Sequence, residues 1–276
     1  MEAAEYLQMA ALQDRHWWFE VKRRTVAAVL ERHAADLGRQ TGARVLEVGA
    51  GTGAMSAVMR RHGRLFATDA HLPALQLLAE RRAADAGRGP GEPSTAARTA
   101  GVELQPVAAD LLRLPFADRS FALVGCFDVL YHRGVPDVTD ALREIARVCA
   151  PGGYLAITDS AFSMLSSSHD VATHAARRFQ LPDLLRQVQG AGLETVHASY
   201  FHMLLFPAAA ALRVGKRVLL GPPRTDIPAR SDLTAVAPWL NTTLSTLYRL
   251  ETPLAARFRL PFGVSLLVLA RRPLEG

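Results

Sequence analysis

A β-rich run, Arg44-Val-Leu-Glu-Val, ends in Gly49-Ala-Gly51-Thr-Gly53, and the next residues, Ala54-Met-Ser-Ala-Val-Met-Arg-Arg, are helix-like. Glycines in a strand-to-helix turn let the backbone reverse tightly and let a ligand approach it without meeting a Cβ atom. This one feature points to an open α/β sheet with a ligand at its strand ends. The rest of the chain repeats the theme. Leu65-Phe-Ala-Thr-Asp69 reads as a second strand ending in an acid, followed by a helix through Leu75, Leu78 and Ala79. Val102 to Ala109 reads as a third strand and Phe121 to Leu130 as a fourth. A helix from Asp137 to Cys149 is closed by Pro151-Gly152-Gly153 before a fifth strand, Tyr154 to Thr158. A helix at 181–191, a strand around Leu193–Met203 and a last strand at 263–270 complete the pattern. Strands alternating with helices imply a doubly wound parallel sheet.

Around this core lie three different segments. Residues 1–38 read as helical, with Phe19, Val21, Val26, Val29 and Leu30 on one stripe. Residues 87–101 hold four Gly and two Pro in fifteen, the mark of a surface excursion. Residues 205–260 form a basic, Pro-containing, mostly helical insertion before the last strand. The uncharged run Thr195–Leu212 contains His197, His202 and Pro207 and reads as strand then helix, not as a membrane span.

Composition bounds the function. The 276 residues, 49% apolar and 21% charged, suit one large α/β domain and exclude disorder. Two cysteines, Cys126 and Cys149, cannot build a disulfide framework or a cysteine-rich zinc site, and no leader-like segment opens the chain, so the cytoplasm is the expected compartment. The net charge of +6 lies wholly in residues 205–276, since residues 1–204 carry 22 basic and 22 acidic side chains. Of the 32 basic residues all but Lys22 and Lys216 are Arg, which fits a coding bias better than nucleic-acid recognition, because no basic run with interleaved aromatics appears.

The glycine loop alone is ambiguous. With Ala54 in place of the last glycine and Asp69 twenty residues beyond Gly49, it also satisfies the dinucleotide fingerprint. Glu47 separates the two readings, because a carboxylate two residues before the first glycine disfavours a pyrophosphate and favours a cationic ligand.

With Glu47 in place, the chain resembles the class I S-adenosylmethionine-dependent methyltransferases of the small-molecule type. Leu46-Glu-Val-Gly-Ala-Gly-Thr-Gly resembles that family's first motif and Ala67-Thr-Asp69 its second, whose acid binds the ribose hydroxyls. Ala109-Asp110-Leu111 with Leu114-Pro-Phe-Ala-Asp-Arg-Ser-Phe-Ala-Leu-Val resembles the third and fourth, and Leu142-Arg-Glu-Ile-Ala-Arg-Val-Cys-Ala-Pro-Gly-Gly-Tyr-Leu the entry to the fifth strand. The ordered block spans about residues 43–160. The resemblance implies a Rossmann-like, seven-stranded, mostly parallel sheet with the last strand antiparallel. Its core would be 39–204 and 261–276, with residues 1–38 as a helical lid and 205–260 as a cap over the methyl acceptor. It implies S-adenosylmethionine as cofactor, held by Glu47, Gly49, Ala50, Gly51, Asp69, Ala70, Asp110, Leu111 and Phe127. Trp18 would close over the cofactor and Arg23 would reach its carboxylate. The alternative for Asp14-Arg-His16-Trp17-Trp18-Phe19 is an aromatic staple between the first helix and the sheet.

Methyl transfer from a sulfonium is an in-line displacement, so alignment in a dry site supplies most of the catalysis and a general base is optional. His132, just past the fourth strand, is the residue read as catalytic; its other reading is loop ordering. Asp128 is read as structural and Asp159 as a second candidate. No metal is expected, since the gap between His169 and His174 does not match one helix face. The expected partner is a small, partly apolar methyl acceptor, with no nucleic acid. For the insertion, packing over the pocket comes first, a homodimer second and contact with an anionic membrane last. Two further functions stay open: a non-catalytic cofactor-binding subunit and a nicotinamide-dependent oxidoreductase.

Overall fold

The computed structural model describes residues 3–37, 42–86, 104–220 and 234–274; the 87–101 segment and the start of the third expected strand lie outside them. In chain order the elements are α1 (Ala3–Leu12), α2 (Trp17–His33), β1 (Arg44–Val48), α3 (Ser56–Met59), β2 (Arg64–Asp69), α4 (Leu72–Ala86) and β3 (Leu104–Ala108). Then follow β4 (Phe121–Phe127), α5 (Val138–Val148), β5 (Cys149–Ser160), α6 (Ser168–Ala172), α7 (Leu181–Gly190), β6 (Glu194–Phe201), α8 (Phe206–Leu220), α9 (Pro238–Arg257) and β7 (Ser265–Arg271).

The sheet order is β3-β2-β1-β4-β5-β7-β6. The pairs from β3 through β5 are parallel, and β7 is antiparallel to both β5 and β6. Strands β1 to β6 therefore point their carboxyl ends to one edge. The order reverses between β1 and β4, and the crevice at such a switch point is where doubly wound sheets take their ligands. Burial explains the strand composition. β4 and β5 are covered on both faces and read as nearly continuous apolar runs, as parallel central strands must. Helix α5 buries Val138, Ala141, Leu142, Ile145 and Val148 on one face, and its N-terminus is capped by Asp137, whose carboxylate accepts the N–H groups of Thr139 and Asp140.

The described part of residues 1–38 is helical, in two helices, because His16 caps α2 by accepting the Trp18 N–H at 3.3 Å while the preceding turn carries Gln13 inward. One local expectation differs from the structure. Pro151-Gly152-Gly153 does not separate α5 from β5. Strand pairing begins at Cys149 and passes through the glycines as an irregularity, with a Cβ at Gly153 falling 2.8 Å from the Ala150 carbonyl.

The insertion's α9 lies along α2. Tyr248 stacks on Trp17 with ring centres 5.4 Å apart, Ser245 donates to Glu20, and His33 and His197 donate to the carbonyls of Ala256 and Ala255. Helices α2 and α9 thus form one helical layer on the sheet. Trp239 and Leu250 face outward on α9. No helix among the described residues is long and apolar enough to cross a membrane.

Candidate active site

At the end of β1 the glycine loop turns with positive φ at Gly49 (+64°) and Gly51 (+54°). The two glycines do different work. A Cβ on Gly49 would fall 2.4 Å from Val129, just past β4, so this glycine lets the β1 and β4 ends meet. A Cβ on Gly51 would meet only the Tyr6 ring, at 3.9 Å, so this glycine faces space. The Ala50 N–H is tied to the Thr68 carbonyl at 2.8 Å, which fixes the loop to β2.

Asp69, at the end of β2, is buried and accepts two backbone N–H groups, from Gly51 and His71, both at 2.8 Å. The loop and the acid therefore come as one unit. Glu47 is almost fully buried and accepts the Ser56 hydroxyl at 2.5 Å. Burial, and to a lesser extent the Asp69 charge, push its carboxyl up to about 8. Ala70 is exposed beside this pair, and Asp110, past β3, is exposed and accepts the Leu112 N–H, while Leu111 is buried. Phe127 is turned inward: its ring occupies the space over Gly125 and packs in the core, so only its backbone lies at the strand end.

The N-terminal segment covers this edge. Tyr6 stacks on His71 at 4.7 Å, and burial, with the Asp69 charge, raises its hydroxyl pKa. Gln13, fully buried, donates to the Thr52 carbonyl and accepts the Thr52 hydroxyl, clamping the glycine loop. Arg23 donates to the carbonyls of Gln13 and Ala54, and its half-buried guanidinium holds the segment to the start of the helix that follows the loop.

On the other side of the switch point the groups are side chains. Lys22, from the buried face of α2, pairs with Asp128, whose backbone takes φ +57° past β4. Asp159, fully buried at the end of β5, accepts the N–H groups of Tyr131 and Ser160; burial, and then Asp128, push its carboxyl well above the usual range, against Lys22. Trp18 lies flat on His202, just past β6, with ring centres 4.0 Å apart. His132 sits on the 128–136 loop. Its Nδ1 accepts the Gly134 N–H at 3.0 Å, its backbone bridges to Ala175, and His174 lies 5.8 Å away. Burial is the main cause that lowers its pKa to about 4, and His174 and Arg133 act in the same direction. Arg178 pairs with Asp170 and Arg177 donates to the Val135 carbonyl, so the 174–179 segment braces that loop. The described residues contain no group of three metal-ligating side chains, and the side chain of His169 is not among those described.

Tyr6, Gln13, Lys22 and His202 were not read as site residues from sequence. Lys22 carried a signal, as one of two lysines among thirty-two basic residues. His202 carried a weaker one, a titratable group inside an uncharged run.

Residues 46–157 match the family described as a methyltransferase domain. A demethylmenaquinone methyltransferase of Thermobifida fusca (strain YX) is 34% identical over 148 residues, covering 53% of this chain and 51% of that protein. A malonyl-[acyl-carrier protein] O-methyltransferase of Pseudescherichia vulneris is 32% identical, covering 51% of each. The chain thus spans about half the length of these curated relatives. Among solved structures, the complex between the Haloferax volcanii Trm112 methyltransferase activator and a methyltransferase aligns with a TM-score of 0.56 at 20% identity, over 99% of this chain and 95% of that one. The domain match over residues 46–157, the sheet order and the glycine loop with its strand-end acid agree with one another, and within those residues the chain is similar to a methyltransferase domain.

Proposed function

We propose that the protein transfers a methyl group from S-adenosylmethionine to a small, partly apolar molecule in the cytoplasm. The observation that carries this reading is the cradle at the ends of β1 and β2. There, Gly51 leaves space where a side chain would stand, and Asp69 organises the loop beside it. The buried Glu47 supports a cationic ligand over a pyrophosphate, because a positive group would compensate the ionised carboxylate that burial disfavours. The cofactor, when bound, supplies a methyl group activated by its sulfonium.

In this reading Glu47, Gly49, Ala50 and Gly51 form the floor, Asp69 holds the ribose and Ala70 borders it. Asp110, Leu111 and the Phe127 backbone flank the adenine end. Residues 1–38 serve as the lid, with Tyr6 over the loop, Arg23 toward the cofactor carboxylate and Trp18 toward the acceptor, and residues 205–260 serve as the cap. For His132 two roles stand. The Gly134 N–H donated to its Nδ1 and a pKa near 4 support loop ordering, while its neutral ring at working pH suits a base.

Calorimetry and thermal protection test the reading. S-adenosylhomocysteine should bind one site per chain and raise the melting temperature, and NAD should do neither. Protection by NAD, or none by S-adenosylhomocysteine, would overturn it.

A further inference from the structure

His202 combines three destabilising features. Its ring is fully buried, neither ring nitrogen has a hydrogen-bond partner among the described residues, and its backbone takes φ +59°. Buried polar groups are ordinarily satisfied, and left-handed backbone outside glycine is costly, so a site with both calls for a cause. Packing does not supply one. The ring sits among Trp18 at 4.0 Å, Phe201 at 4.6 Å, Tyr248 at 5.2 Å and Trp17 at 5.6 Å, an apolar box that phenylalanine would fill without orphan nitrogens. Of these four neighbours only Trp18 is partly exposed. The site also lies at the ligand-binding edge of the sheet, with the buried Lys22 close by.

We propose that His202, Lys22 and Trp18 form the methyl-acceptor subsite and that its ligand is a flat, apolar molecule bearing an acidic hydroxyl, a phenol or an enol. The inference rests on the methyltransferase reading above. Trp18 turns from the imidazole to cover the acceptor ring, whose hydroxyl donates to a nitrogen of His202. Burial, and then the charge of Lys22, hold the imidazole neutral and therefore able to accept. The same ammonium favours negative charge on an acceptor oxygen and disfavours a protonated amine. The groups around the imidazole do not reverse this. Asp128 is neutralised by Lys22, Asp159 is driven toward its protonated form, and Tyr248 and Glu251 of α9 are both held toward their neutral forms by burial. In the transfer, the oxygen–methyl bond forms as the methyl–sulfur bond breaks. The hydroxyl proton passes to His202, and the neutral thioether leaves.

The test titrates 4-nitrophenol into the full chain saturated with S-adenosylhomocysteine, as wild type, His202→Phe and His202→Asn. The wild type should bind the probe at about pH 6, where the free probe is mostly protonated and able to donate to the imidazole. His202→Phe should weaken binding at least tenfold, while keeping its affinity for S-adenosylhomocysteine within twofold and its melting temperature at or above wild type. His202→Asn, which restores a polar partner, should recover part of the affinity. No probe binding by the wild type, or equal binding in wild type and His202→Phe, would overturn the inference. If the wild type failed to bind S-adenosylhomocysteine, the methyltransferase reading would fall first and this one with it.

Discussion

The two halves of the strand-end crevice are built in different ways. At the ends of β1 and β2 the site is mostly backbone: a glycine loop, two N–H groups held by Asp69, and a Gln13 clamp on Thr52. At the ends of β4, β5 and β6 it is mostly side chains, the Lys22–Asp128 pair, Asp159, and His202 under Trp18. A backbone site suits a ligand that stays the same throughout a family. A side-chain site can change its ligand by substitution without rebuilding the turn. The helical layer of α2 and α9 covers the second half, and Trp18, Lys22, Asp159 and His202 there lie outside the domain match at 46–157.

The largest expected effect separates the halves by stability. Trp17→Ala removes a buried ring stacked on Tyr248 and should cost about 3–5 kcal/mol in urea unfolding. Once folded, the variant should still bind S-adenosylhomocysteine, because the β1 loop does not depend on that stack. Loss of cofactor binding in the folded variant would show the two halves to be one unit.

A smaller contrast lies within the loop. Gly49→Ala combines a positive φ with a 2.4 Å approach to Val129 and should cost about 2–4 kcal/mol. Gly51→Ala, strained but facing space, should cost about 1–2 kcal/mol. Cofactor affinity should fall for both variants, and the stability order is checked by unfolding midpoints. Equal costs would mean that the β1 and β4 ends are not pressed together at Gly49.

The third effect is a pH dependence. Glu47 titrates at about 8 in the folded chain against 4.5 as its ordinary value, so the native state holds the extra proton between those limits. Its contribution to stability therefore declines as pH rises from 4.5 through 8, and Glu47→Gln should gain stability relative to wild type across that window. Ligand binding should move the other way. S-adenosylmethionine affinity should rise with pH toward 8, approaching roughly tenfold per unit if only ionised Glu47 binds, and should be flat in Glu47→Gln. Parallel curves for the two proteins would remove Glu47 from the site.

The contrast between the halves also explains what could be read in advance. The β1 loop, Asp69 and the strand alternation are local: each is written in a few consecutive residues, and glycine placement and apolar runs report directly on backbone needs. The doubly wound parallel sheet followed from that pattern, whereas the seven strands and the antiparallel last strand came with the family resemblance. The side-chain half was less legible because Lys22, Asp128, Asp159, His202 and Tyr248 meet only through the fold. Helix periodicity put Val21 and Val26 on a buried stripe, but not the intervening Lys22, whose burial depends on Asp128 more than a hundred residues away. Phe127 was read as facing the cofactor, yet the strand's two-residue alternation puts its ring over Gly125 in the core. Tyr6 and Gln13 lay in a segment read as a helical lid, where nothing in the spacing marked them for the loop.

The central claim is that the cofactor sits where Asp69 ties β2 to the glycine loop. Calorimetric titration of S-adenosylhomocysteine into wild type and Asp69→Ala measures it most directly. The account expects single-site binding by the wild type. In the variant, loss of a charge-assisted contact of about 1.5–3 kcal/mol should lower affinity tenfold or more, with the fold retained by circular dichroism. Equal affinities in two folded proteins would contradict it.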